Sequence, residues 1–232
     1  MVWSIRTIAC IGKSLGREVD KSRHVFLFIC LLYEYARMRH PLQSAPHEYR
    51  KRFFFTFLTL ALVLFVVFGV LDAPLKNEVA PKGIVSLELA GTPQMARAIT
   101  DSWKQVSLLL SATADRPNPD IVNIPYVFAA FGLGLDYLFM PVYALALGFG
   151  TLLASQKHTG WMHSLSVMAG YGAFVAALFD AVENYALFQV LLGRVDSNFP
   201  AIAAMCAIIK FGLIGFGFLV ALAGWLLPEK RR

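Results

Sequence analysis

Residues 53–71 form an apolar run without a single charged side chain, and this run constrains the chain more than any other stretch. As a helix it rises about 28 Å, close to the roughly 30 Å hydrocarbon thickness of a bilayer. A helix that is apolar on every face has no water-exposed side to offer. Three further runs of similar character follow at 123–154, 161–192 and 201–227. Across the 232 residues, 57% are hydrophobic and 16% charged, with a mean hydropathy of +0.59. That is too little charge to cover a water-facing surface, whereas a lipid-facing one needs none. The expected fold is an all-α membrane protein, a four-transmembrane-helix bundle.

Several function classes fall away at once. Cys10, Cys30 and Cys206 are far apart, with no C-x-x-C and no ligand spacing with histidine, which argues against structural zinc and thiol–disulfide exchange. The net charge of +6 comes from basic residues at the flanks of the spans, so it speaks of membrane orientation and not of nucleic acid. There is no H-E-x-x-H, no G-x-S-x-G and no E-x-x-H pair for a di-iron centre. His163 has no second membrane-embedded histidine for bis-histidine haem ligation and reads as interfacial. Neither a metal nor a cofactor is called for, and no enzyme chemistry is recognisable.

Residues 1–52 form a basic N-terminal segment, of which 1–37 fit poorly with the rest of the chain. Their best apolar run, at 25–33, is too short to span and lacks a small-x-small cleavage site after it. They are expected to be disordered, interfacial, or an extension upstream of a start at Met38. The membrane domain covers 53–228, and a basic tail occupies 229–232. Within that domain, residues 72–122 form a loop of mixed charge. Val85, Leu87 and Leu89 alternate with Ser86 and Glu88, a pattern that predicts a short extended piece with Glu88 on its polar side. Thr92 and Pro93 read as the N-cap and first residue of an amphipathic helix, with Ala96, Ile99, Trp103, Val106 and Leu110 on its apolar stripe. The loop is too short for a core of its own, so that stripe is expected to pack against the bundle or its interface. Pro141, inside the second span, cannot donate to the carbonyl of Tyr137 and predicts a kink. Gly132, Gly134, Gly148 and Gly150 read as close-packing sites, and Ala169, Ala173, Ala177 and Ala181 as a small-residue ridge for helix contact.

Four spans place both ends on one side. Fourteen Lys and Arg then share that side, six lie on the other, and Lys210 is inside a span. The excess assigns both termini to the cytoplasm. Trp161 and Trp225 would mark the inner interface, Tyr126 and Tyr185 the outer one.

The third span carries Asp180, Glu183 and Asn184 on adjoining turns, where an ionised group near the bilayer centre costs roughly 3 kcal/mol or more. Counting helical rise from the outer side puts Asp136 roughly 15 Å and Lys210 roughly 14 Å deep. These five residues are expected to meet as a buried polar cluster, with Glu183 and Asn184 at its outer edge. A lysine at that depth needs an acid on a neighbouring helix. The hydroxyls of Tyr137, Tyr143 and Tyr171 also need partners.

The chain resembles a group of bacterial four-span membrane proteins. The resemblance is carried by Gly83-Ile84-Val85-Ser86-Leu87-Glu88-Leu89-Ala90, Asp136-Tyr137-Leu138-Phe139, Asp180-Ala181-Val182-Glu183-Asn184 and Lys210, and covers about residues 50–228. It implies an inner (cytoplasmic) membrane location and no particular activity. Three functions remain open on these residues. The first is a non-enzymatic component that acts by assembly with copies of itself or other membrane proteins, its buried charges being structural. The second is a small oligomeric transporter or channel subunit that uses the cluster for a proton, an ion or a polar substrate. The third is an enzyme acting on a lipid or quinone. In each case the bilayer itself is a partner.

Overall fold

The computed structural model describes residues 39–112 and 124–228. Residues 1–37, for which disorder or an upstream extension is expected, lie outside the described residues, as do 229–232. Among the described residues there are six α-helices and no strand: α1 (Arg50–Asp72), α2 (Ile84–Glu88), α3 (Pro93–Ala112), α4 (Ile124–Lys157), α5 (Trp161–Leu191) and α6 (Phe199–Leu226). Four of them, α1, α4, α5 and α6, are long and apolar enough to cross a membrane, which makes this a multi-pass membrane protein. The helix α4 continues through Pro141 without interruption.

Small side chains set the contact between α5 and its neighbours. Ala169 and Ala173 are fully buried, and Ala177 and Ala181 pack on the Met140, Tyr143 and Ala144 face of α4. At the far end of α6, Gly224 lies so close to α4 that an added Cβ would fall on Ala154, while the Gly224 carbonyl meets His158 Nε2 at 3.0 Å. By contrast α1 is peripheral, with Leu64 its one buried residue. Phenylalanines attach it to the bundle: Phe57 stacks on Phe149 at 6.2 Å, and Phe68 meets Phe139 edge-on at 5.3 Å.

The two ends of the bundle are closed differently. At one end lie the residues before α1, the 158–160 connection and the end of α6. There His40 occupies a notch over Gly170 where a Cβ would collide with its ring. Its Nδ1 accepts the Leu42 N–H at 3.1 Å, so Nε2 carries the proton and donates to Thr151 Oγ1 at 3.1 Å. Tyr171 donates to the Arg39 carbonyl at 3.1 Å, tying down the same segment.

At the other end α2 and α3 lie across the bundle. Thr92 Oγ1 accepts the Met95 N–H at 3.3 Å, as an N-cap does, and Ala96, Ile99 and Trp103 are buried against Ala129, Leu133, Leu187 and Ala203. Trp103 Nε1 donates to the Leu75 carbonyl at 2.8 Å. Arg97 pairs with Asp196 in the turn before α6.

Two expectations are corrected here. The 85–89 alternation is not an extended piece; its first four residues belong to the helix α2. Five residues are too few to separate a period of two from one of 3.6, and local bonds decide the outcome. Gly83, at φ 58°, turns the chain, Asp72 Oδ1 accepts the Ile84 N–H at 2.7 Å, and Ser86 Oγ accepts the Lys82 N–H at 3.0 Å. The second correction concerns glycines: Gly148 and Gly150 approach Leu42, Phe174 and Phe54, but nothing lies within 4 Å of a Cβ placed at Gly132 or Gly134.

Candidate functional site

The spacing of Asp180, Glu183 and Asn184 puts all three on one face of α5, and that face turns inward between α4 and α6. All three are buried, with Glu183 at 0% exposure. From α6, Lys210 Nζ donates to Asp180 Oδ1 at 3.0 Å and to Glu183 Oε1 at 2.8 Å. From α4, Tyr143 donates to the second oxygen of Asp180 at 3.0 Å. One turn further along α5, Asn184 Nδ2 donates to Asp136 Oδ2 at 2.9 Å and lies 3.3 Å from the Leu133 carbonyl. The five residues singled out in the sequence therefore meet, and they stitch three membrane helices together.

The cluster has two parts that differ in how well they are satisfied. Asp180 has a partner on each oxygen and Lys210 is shared between two acids, the arrangement that makes a buried ion pair tolerable. Lys210 Nζ also lies 4.7 Å from the centre of the Phe211 ring. Asp136 is held only on the side of Asn184 and remains partly open. Beyond Glu183 and Asn184 on α5, Ala186, Leu187 and Val190 pack with Ile99 and Trp103 of α3.

A sixth member was not foreseen. Glu88, at the end of α2, is 8% exposed, and its Oε2 has no hydrogen-bond partner among the described residues. Burial raises its pKa above the usual carboxyl range; Lys210 opposes the rise, and Asp180 and Asp72 add to it. An alternation read as an extended piece put Glu88 on a polar, solvated side. Helical spacing instead turns it inward beside Leu87. In the sequence it stands as one acid among several in a mixed loop and within the Gly83–Ala90 stretch of the resemblance, neither of which marks it as buried.

Between α1, α2 and α4 lies a cavity of about 440 Å³, with α6 closing part of its wall. Glu88, Asp136, Asp180, Lys210 and the Asp72–Lys76 pair reach it, and its other walls are mostly apolar, including five phenylalanines. Gly132 lines it too, which explains why a side chain there would meet open space. Tyr137 donates to the Ala181 carbonyl at 3.3 Å, so all three tyrosine hydroxyls that needed partners have them.

Compared with models of protein families, with curated proteins and with solved structures, the chain finds no match in any of the three.

Proposed function

We propose that this protein is a binding or transport subunit of a bacterial cytoplasmic membrane, and that it receives its ligand in the pocket beside the polar cluster. Both termini would be cytoplasmic, with the α2–α3 end of the bundle on the outer side; the distribution of Lys and Arg supports this orientation. One observation carries the reading: a buried carboxylate oxygen, on Glu88, without a partner among the described residues, in the wall of a cavity that also exposes Asp136. Each unmet buried acceptor costs stability, and of the three such oxygens among the described residues, on Glu88, Glu183 and Asn184, only that of Glu88 belongs to a residue lining the cavity, where a ligand can meet it. A single four-helix unit without an inverted repeat would work as one subunit of an oligomer.

A structural role for the remainder is favoured by a separate observation. Lys210 bonds both Asp180 and Glu183, and Tyr143 bonds Asp180, across three helices, so this part of the cluster fixes which helices pair, although Glu183 Oε2 is left without a partner among the described residues.

The division can be tested with dicyclohexylcarbodiimide, an apolar reagent that modifies protonated carboxyls it can reach. In lipid nanodiscs, peptide mass spectrometry should find the label on Glu88 and Asp136 and leave Asp180 and Glu183 unmodified. Labelling of none of the four, or of Asp180 and Glu183 with Glu88 spared, would sink the reading.

A further inference from the structure

We infer that the ligand of this pocket is a lipophilic amine, an ammonium head on an apolar body, with Glu88 and Asp136 as its counter-charges. The inference rests on the pocket reading above and names the class of ligand. Four carboxyl groups, on Glu88, Asp136, Asp180 and Glu183, are grouped with the Lys210 ammonium, while the other ammonium in the wall, that of Lys76, is paired with Asp72 at 3.3 Å. The Lys210 ammonium is already held at 3.0 and 2.8 Å by two of the acids, so it is not free to attract an anion. Among the described residues the two remaining carboxyls make no ion-pair contact, and Glu88 Oε2 has no hydrogen-bond donor. A positively charged N–H group supplies both.

The rest of the wall decides what carries the charge. A bare divalent cation asks for six or more oxygen ligands, or a retained shell of water. This wall offers two carboxyls that are not fully engaged among aromatic rings such as Phe65, Phe68, Phe139 and Phe211. Aromatic faces attract an organic cation and bury its apolar body. The volume of about 440 Å³ lies in the range of pockets that enclose a drug-sized molecule. One wall of the cavity also reaches the surface of a spanning helix. Phe65 lines the cavity yet is 69% exposed on the outer face of α1, in the part of the chain that borders lipid. An amphiphile dissolved in the membrane can reach the acids along that side.

The experiment uses the full chain in nanodiscs of neutral lipid and three probes of equal chain length: dodecylammonium, 1-dodecanol and laurate. Dodecylammonium should protect Glu88 and Asp136 from carbodiimide in a saturable manner, while the alcohol and the carboxylate give at least tenfold weaker protection. Glu88→Gln should weaken protection of Asp136 at least tenfold. A second variant, Gly132→Phe, fills open space in the pocket and leaves every carboxyl in the chain, and it should abolish protection while the protein remains monodisperse. Equal protection by dodecanol or laurate, or unchanged affinity in both variants, overturns the amine assignment. If carbodiimide labels the pocket acids but no amine competes, only the ligand class fails. If it labels neither, the pocket reading fails with it.

Discussion

Lys210 shows how much a single residue can hold at this depth. Its removal leaves two buried acids facing each other without a cation, so Lys210→Met alone should destabilise the protein by about 3 kcal/mol. The triple variant Lys210→Met, Asp180→Asn, Glu183→Gln should cost less than the sum of its parts, because it removes the charge along with its partners. Unfolding in detergent, followed by tryptophan fluorescence, checks this; additive losses would mean that the three residues are not one unit. A double change of Asp180 and Lys210 would leave Glu183 unpaired. His40 offers a second residue-scale test. Burial, aided by His163 and Arg50, pushes its pKa down to about 4 from 6.5. The unfolded chain therefore takes up a proton first as pH falls, and the stabilisation present above pH 6.5 is progressively lost toward pH 4. The melting temperature of the protein should accordingly fall more between pH 7 and pH 5 than that of His40→Gln, whose amide can still donate to Thr151 but does not titrate. Parallel curves for the two would remove His40 as the cause.

At the level of elements, the helices are held by two unlike kinds of seam. Small residues bring α4, α5 and α6 close together, while α1 rests on the others through stacked phenylalanines. Gly224→Ala puts a Cβ on Ala154 and should cost about 1–3 kcal/mol by separating α6 from α4. Gly212→Ala, on the same helix but with nothing within 4 Å of its Cβ, should be neutral or slightly stabilising. Melting temperatures of the two variants in one detergent decide the matter. The ridge at 169–181 was legible because a spacing of four in small residues has one structural use. The identity of α2 was not: in so short a piece, backbone N–H hydrogen bonds to Asp72 and Ser86 outweigh a pattern of five side chains.

For the whole molecule, the distribution of Lys and Arg predicts which face is which. In intact cells a membrane-impermeant maleimide should label a cysteine at Asn198 and spare one at Thr159, both of which are exposed. The reverse pattern would invert the orientation and place the pocket at the cytoplasmic end. What the sequence by itself determined is the class of molecule and the four spans, because bilayer thickness sets a length that apolar runs either meet or do not. It also brought Asp136, Asp180, Glu183, Asn184 and Lys210 into one group, since ionisable residues at similar depth have few alternatives to each other. Only the tertiary structure decided that Glu88 joins them, that Asp180 is saturated while Glu88 is not, and that a cavity separates α1 from its neighbours at that level. The physical reason is that depth follows from position along a chain, whereas the pairing of each oxygen depends on how a loop folds back over the bundle, and no local pattern records that.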